Sequence, residues 1–318
     1  MTNEAKSTVP VSLIGLPYLM GTRQVQVNNH MARGPRVLLD ENAVPARVRE
    51  AFEDVEVIMI EDADDPTPEH TGGDYRLLPV GDQMSRILVE NICLSRQVRK
   101  AREAGRVPVV SLGTCSNALG MVGGIGDVEG DLGMIWFDAH GDAMTPDTSE
   151  NGFFEGMPVT TIAGHCWPRY RRKIPGFREI PEENMITVGL SEMHSANARH
   201  AAGYALGNLV HKPVIEELGF EDAMVRALDD LRTRCDKLYV HFDTDCLEPS
   251  ICRSNTHAAD GGLLPEQAAR AFELIAERFT ILTLAFSAYD PQADERAPET
   301  LVPLMVKAVE ATVASQTK

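Results

Sequence analysis

Gly133-Met134-Ile135-Trp136-Phe137-Asp138-Ala139-His140-Gly141-Asp142 is the stretch that decides how this chain folds. An apolar run ends abruptly in a D-x-H-x-D string. Leu238-Tyr239-Val240-His241-Phe242-Asp243-Thr244-Asp245 has the same form, an apolar run closing on D-x-D. A continuous hydrophobic run is the signature of a buried parallel strand. Ligands of open α/β sheets bind beyond the carboxyl ends of such strands. Residues two apart on an extended chain point the same way. Asp138, His140 and Asp142 are therefore expected to converge, as are Asp243 and Asp245. Four carboxylates gathered at one point repel one another unless cations neutralise them. Taken alone, D-x-H-x-D is moderately specific and D-x-D is weak, because aspartates also cap strand-to-helix turns. Two such strings meeting on one sheet edge read as a metal site.

Apolar, β-branched runs recur along the chain, at Val11–Gly15, Val55–Ile60, Val107–Leu112, Gly133–Phe137, Met185–Gly189, Leu238–Phe242 and Ile281–Phe286. Between them lie helical patterns at Val80–Glu103, Glu221–Arg234, Pro265–Arg278 and Thr300–Ser315. Strands alternating with helices predict a parallel sheet covered on both faces. No internal repeat, low-complexity linker or composition break interrupts the pattern, so one domain spanning residues 1–318 is expected. Asp62–Asp74, acidic with proline and glycine, reads as an exposed loop after a strand end. Asp147–Gly156 and Glu248–Gly262 are long irregular stretches following the two ligand strings, where loops usually carry substrate contacts.

The 318 residues are 43% hydrophobic and 24% charged, ordinary for a globular protein, with a net charge of −17. That charge argues against nucleic-acid or anionic-membrane partners, which need basic surface. The one dense basic cluster, Arg169-Tyr170-Arg171-Arg172-Lys173, reads as a solvated loop or helix face, with a substrate-carboxylate or subunit contact as the alternative. No apolar run approaches the roughly 20 residues that span a bilayer, and Met1–Pro10 lacks a signal-peptide core. A cytoplasmic, reducing setting is expected. The six cysteines are scattered without zinc-finger spacing, and most are expected to be buried thiols.

Trp136-Phe137-Asp138-Ala139-His140-Gly141-Asp142, followed by Thr145-Pro146 and Gly156-Met157-Pro158, resembles the ureohydrolases, the superfamily of arginase, agmatinase, guanidinobutyrase and formimidoylglutamase. The resemblance continues through Phe242-Asp243-Thr244-Asp245, Glu248-Pro249-Ser250 and Gly261-Gly262-Leu263, and begins at Gly34-Pro35 with Val37-Leu38-Leu39. It implies a three-layer αβα fold with a mainly parallel sheet of about eight strands. It also implies two divalent ions, usually Mn(II), bridged by hydroxide. On the family pattern one ion takes a first strand-end ligand with Asp138, Asp142 and Asp243. The other takes His140, Asp138, Asp243 and Asp245, so Asp138 and Asp243 bridge. Asp142 would also help pass a proton to the leaving nitrogen. The family's trimers or hexamers suggest a homo-oligomer, and its partner is a small-molecule substrate.

Several positions depart from that pattern. The family's first metal-binding histidine is matched by Cys115 in Leu112-Gly113-Thr114-Cys115-Ser116. A thiolate is a competent, softer ligand whose pKa the metal itself lowers, and it admits Fe, Zn or Ni as well as Mn. The alternative is that Cys115 is a buried bystander. Glu155 stands where arginases place an acid/base histidine, and could shuttle a proton or pair with a cationic substrate head. The guanidinium-clamping glutamate is matched by Ala288, leaving Asp290 or Ser287 as displaced substitutes. Met144 replaces an asparagine that holds the arginine carboxylate, and Asn151 and Phe153 alter the same loop. His194 is the best placed of the remaining histidines to rim the pocket; His165, His200 and His257 read as surface or packing residues.

The expected function is hydrolysis of a linear C–N bond in a guanidino or amidine compound. Substrate-contact candidates are Glu155, Asn151, His194 and Asp290. The alternative is a catalytically degenerate family member that binds a ligand or partner. A mononuclear zinc deacetylase would not need both Asp142 and Asp245, and Gly123-Gly124-Ile125-Gly126 lacks the order of a dinucleotide-binding turn.

Overall fold

Among the described residues, eight parallel strands form one sheet in the order β2-β1-β3-β8-β7-β4-β5-β6. They are β1 (Val11–Leu16), β2 (Val55–Met59), β3 (Val107–Leu112), β4 (Leu132–Phe137), β5 (Met185–Val188), β6 (Asn208–Val210), β7 (Lys237–Asp243) and β8 (Thr280–Ser287). The computed structural model describes residues 6–19, 29–61, 63, 83–126, 128–149, 152–191 and 205–316. The expected loop at residues 62–74 lies outside these apart from Ala63, as do Asn151, His194 and His200. Among the described residues, no helix is long and apolar enough to cross a membrane.

The central strands are buried along nearly their whole length, which is why they read as apolar runs rather than alternating patterns. The pleat sends successive side chains to opposite faces. Ile135 and Phe137 of β4 join Val240 and Phe242 of β7 in one core cluster. Met134 and Trp136 join Tyr239 in the other. Phe242 sits 4.7 Å from Phe286 and 5.5 Å from Phe137, ring centre to ring centre, locking β4, β7 and β8 together.

Long helices cover both faces: α1 (Gln83–Glu103), α2 (Ala118–Ile125), α3 (Phe220–Arg232), α4 (Pro265–Arg278) and α5 (Ala297–Ala314). The α4 span matches the sequence pattern end to end. Pro265 occupies its first turn, where a missing N–H costs nothing, and the Gln267 side chain accepts the Leu264 N–H at 2.9 Å. The arrangement is the expected three-layer α/β fold.

Two local expectations need correction. The basic cluster is not wholly solvated: Arg171 is buried and donates to Glu179 at 3.0 Å and to the Gly164 carbonyl at 3.1 Å. The eighth strand, β6, was absent from the sequence pattern because it is three residues long with an exposed Asn208 at an edge.

Topology then positions the site. From β3 the chain crosses to β4 and builds outward through β5 and β6. It returns to place β7 and β8 in the gap. The neighbours β3, β8, β7 and β4 therefore present their carboxyl ends side by side. Register aligns Phe137 with Phe242 and Asp243 with Ser287 across those ends.

Candidate active site

Both aspartate strings leave their strands through a capped turn. Asp138 Oδ1 accepts the His140 N–H at 2.7 Å, and Asp243 Oδ1 accepts the Asp245 N–H at 2.8 Å. Each first aspartate thus folds its successor back toward itself. This corrects the expectation of an extended chain: the convergence comes from the turn rather than from the pleat. Asp142 is reached through a further bend at φ +44°, a left-handed conformation that aspartate tolerates better than most residues.

The second oxygens face inward. Asp138 Oδ2 accepts the Trp136 indole N–H at 2.9 Å. Asp243 Oδ2 accepts from Cys115 Sγ at 2.8 Å. His140 Nδ1 lies 3.2 Å from Asp138 and 3.5 Å from Asp245. Asp245 also accepts the Ala139 N–H at 3.2 Å and the Asn255 side-chain N–H at 3.3 Å. Two groups of donor atoms result, each gathered within 4.8 Å: Cys115, Asp138 and Asp243, and then Asp138, His140 and Asp245. Asp142 lines the same pocket but belongs to neither group.

Cys115 reaches this point from a short turn after β3. A Cβ on Gly113 would lie 2.0 Å from the Tyr18 carbonyl oxygen, so only glycine lets the turn pass. Thr114 then caps the turn by accepting the Ser116 N–H at 3.2 Å. Glu155 ties the same turn down: its carboxylate accepts from the Thr114 hydroxyl, from Ser116 Oγ at 2.6 Å and from Ser116 N–H at 3.4 Å.

Electrostatics follow from burial. Desolvation, reinforced by the Asp245 charge, raises Asp138 to about 6. Burial pushes Asp142 and Asp243 well above the usual carboxylate range, helped by Asp138 and, for Asp243, foremost by Asp245. Burial likewise raises Glu155 and the Cys115 thiol. For His140 burial opposes the charge, but Asp245 and Asp138 outweigh it and raise the imidazole to about 12. Asp245 goes the other way, burial being overcome by His140, which holds it well below the usual range. Carboxylates forced together in a dry site are unfavourable as free anions. Among the described lining residues there is no lysine or arginine. The donor set, oxygen-rich with one imidazole and one sulfur, therefore fits divalent cations.

The pocket holds about 480 Å³ and is walled by Leu19, Met31, Met144 and Phe153, with Asn29, Asn255 and His257 supplying polar edges. His257, expected to be a surface or packing histidine, is exposed but lines this pocket. Ala288 lines it too, held at φ +62° with its carbonyl accepting from Asn255 at 3.0 Å. Asp290 has a different job from the one expected. Its buried carboxylate accepts the His30 N–H at 2.9 Å and the Gln292 N–H at 2.8 Å, and it does not line the pocket. Beneath the ligands, His241 stacks on Trp136 with ring centres 3.7 Å apart. The sequence hinted at His241 only as a polar residue inside an apolar run. Nothing in the sequence marked Asn255.

The sequence profile of the Arginase family matches residues 9–313. The chain belongs to the Arginase family. Arginase of Bacillus caldovelox is 27% identical over 290 residues, covering 90% of this chain and 93% of that protein. The native structure of arginase from Bacillus caldovelox superposes with a TM-score of 0.75 at 25% identity, covering 96% of this chain and 98% of that one. Formimidoylglutamase from Bacillus subtilis shares the fold, with a TM-score of 0.66 at 17% identity over 97% of this chain and 88% of its own. Within this arginase-family fold, the departures at Cys115, Met144 and Ala288 all face the pocket.

Proposed function

We propose that the chain is a metal-dependent hydrolase that cleaves a linear C–N bond in a small guanidino or amidine compound. The observation that carries this reading is the sharing of Asp138 between the two donor groups, with Cys115 and Asp243 on one side and His140 and Asp245 on the other. Asp138 and Asp243 would bridge two ions; Cys115 and Asp142 would complete one set, and His140 and Asp245 the other. Manganese suits the carboxylate-rich set, while the sulfur admits iron, zinc or nickel. Two such ions, when bound, supply Lewis acidity and lower the pKa of a water between them.

The remaining work falls to this chain's own side chains. Asp142, at the pocket wall, accepts a proton from the attacking water and passes it to the leaving nitrogen. Glu155 fixes the turn that carries Cys115 and offers negative charge to a cationic substrate head. Asn151 and His194, outside the described residues, are proposed from the sequence as further substrate contacts. Phe153 and Met144 line the pocket and would limit water there. With Ala288 at the corner of the family's guanidinium clamp and Asp290 occupied by backbone N–H groups, arginine and agmatine are poor candidates. The working unit is proposed to be a cytoplasmic homo-oligomer of single-domain chains, trimer or hexamer, without nucleic-acid or membrane partners.

Ala288 also favours a second reading, a family member that binds a ligand without turning it over. Elemental analysis of protein purified under reducing conditions separates the two. It is paired with urea and ammonia release from arginine, agmatine, guanidinobutyrate, hydroxyarginine and formimidoylglutamate. Close to two ions per chain with product from one substrate supports the hydrolase. Substoichiometric metal with no product leaves the binding protein.

A further inference from the structure

A continuous hydrogen-bonded line runs under Cys115 on the side away from the pocket. The Tyr239 hydroxyl lies 2.7 Å from His241 Nδ1. His241 Nε2 lies 3.0 Å from Ser287 Oγ, and Ser287 Oγ lies 3.0 Å from Cys115 Sγ. All four residues are buried. Among the described residues Tyr239 has no hydrogen-bond partner other than His241.

That last fact fixes the direction of the line. A buried phenol whose single partner is an imidazole nitrogen must donate to it, or its hydrogen is left unpaired in the core. Nδ1 is then the acceptor and the ring carries its hydrogen on Nε2. Nε2–H donates to Ser287 Oγ, and the serine hydrogen is left for Cys115 Sγ. Every donor in the chain points toward sulfur. The ring cannot swing away: it lies flat on Trp136, with 6° between the planes. Ser287 is fixed in turn by its carbonyl, which accepts the Thr244 hydroxyl at 3.0 Å.

We propose that Tyr239, His241 and Ser287 are positioning residues that deliver a directed hydrogen bond to the Cys115 sulfur and hold it as a metal ligand. The inference rests on the metal reading of the site and adds to it the reason a sulfur can serve there. A metal-bound thiolate accepts hydrogen bonds and donates none, so it needs a neighbour with a hydrogen aimed at it. Outer partners of this kind orient the ligand and tune its electron donation. Trp136 links the line to the bridging position as well, since its N–H holds Asp138 while its ring holds His241.

The test uses cobalt(II) titrated into chelator-stripped, reduced protein. It reads both affinity and the sulfur-to-cobalt charge-transfer absorption. Wild type is expected to show that band, and Cys115→Ser to lose it. Ser287→Ala should weaken cobalt binding about 10- to 100-fold and shift the band to lower energy, because the sulfur loses its donor. Ser287→Thr, which keeps a hydroxyl, should restore the wild-type band. Tyr239→Phe removes one oxygen three hydrogen bonds from the sulfur along the line, and should shift the band the same way by less. It stands in should Ser287→Ala not fold. Wild-type affinity and an unshifted band in Ser287→Ala and Tyr239→Phe would overturn the proposal while leaving the metal site standing. Cobalt bound without a sulfur band would overturn it through Cys115. No cobalt binding at all would remove both the proposal and the metal reading beneath it.

Discussion

Cys115 and Asp243 share a hydrogen bond of 2.8 Å, yet substituting each should have a different consequence. Asp243 uses Oδ1 to cap the turn at Asp245, and asparagine keeps that oxygen. Asp243→Asn should therefore fold normally while losing both ions if, as proposed, its carboxylate bridges the two subsites. Elemental analysis checks this, and loss of only one ion would contradict the bridging role. Cys115→Ala should remove one ion and leave the other, since the second donor group does not include it; unchanged metal content would make the thiol a bystander. At this scale the sequence was informative where residue type is itself chemistry, as in Asp138, His140, Asp142, Asp243 and Asp245. It was silent where a role depends on a distant neighbour. Ser287 acts through a residue 172 positions away, and Asp290 through His30, so neither role had a local signature.

Elements were legible in proportion to their burial. β3, β4, β7 and β8 are dry along nearly their length and announced themselves as apolar runs, whereas β6 at the sheet edge did not. Turns are the least legible part of the sequence, because alternation stops at the strand ends, where a carboxylate cap bends the chain. The turn after β3 offers a test of how far site and fold depend on one another. An alanine methyl at Gly113 would meet the Tyr18 carbonyl at 2.0 Å, and backbone cannot move aside as a side chain can. Gly113→Ala should cost about 1–3 kcal/mol through overpacking and loosen metal retention together, since the same turn carries Cys115. Urea denaturation and metal content measured on one preparation check this. A wild-type midpoint would show that the turn yields without cost.

Across the whole molecule, the site is a concentration of buried acid in a chain already carrying a net charge of −17. Its effect on stability should therefore reverse with metal. In metal-free protein Asp138 is raised to about 6 by burial and by Asp245, so the folded state holds a proton that the unfolded chain releases near pH 4. Stability from this group is full below about pH 4 and lost as pH rises through about 6, a difference on the order of 2–3 kcal/mol. Asp142 and Asp243, raised well above the usual range, extend the decline to higher pH. His140 cannot offset it there. Its raised value of about 12 gives stability that is full below its ordinary value near 6.5 and then fades as pH rises toward 12. Asp245, held low by His140, contributes stability that disappears only in strong acid. Chelator-treated protein should thus melt at progressively lower temperature from pH 4 to pH 8. Bound dications would favour the ionised carboxylates and stabilise the fold by mass action, so metal-loaded protein should hold or raise its melting temperature over the same interval. Parallel melts of the two forms across that interval check the sign, and matching curves would mean that these carboxylates do not meet at a metal.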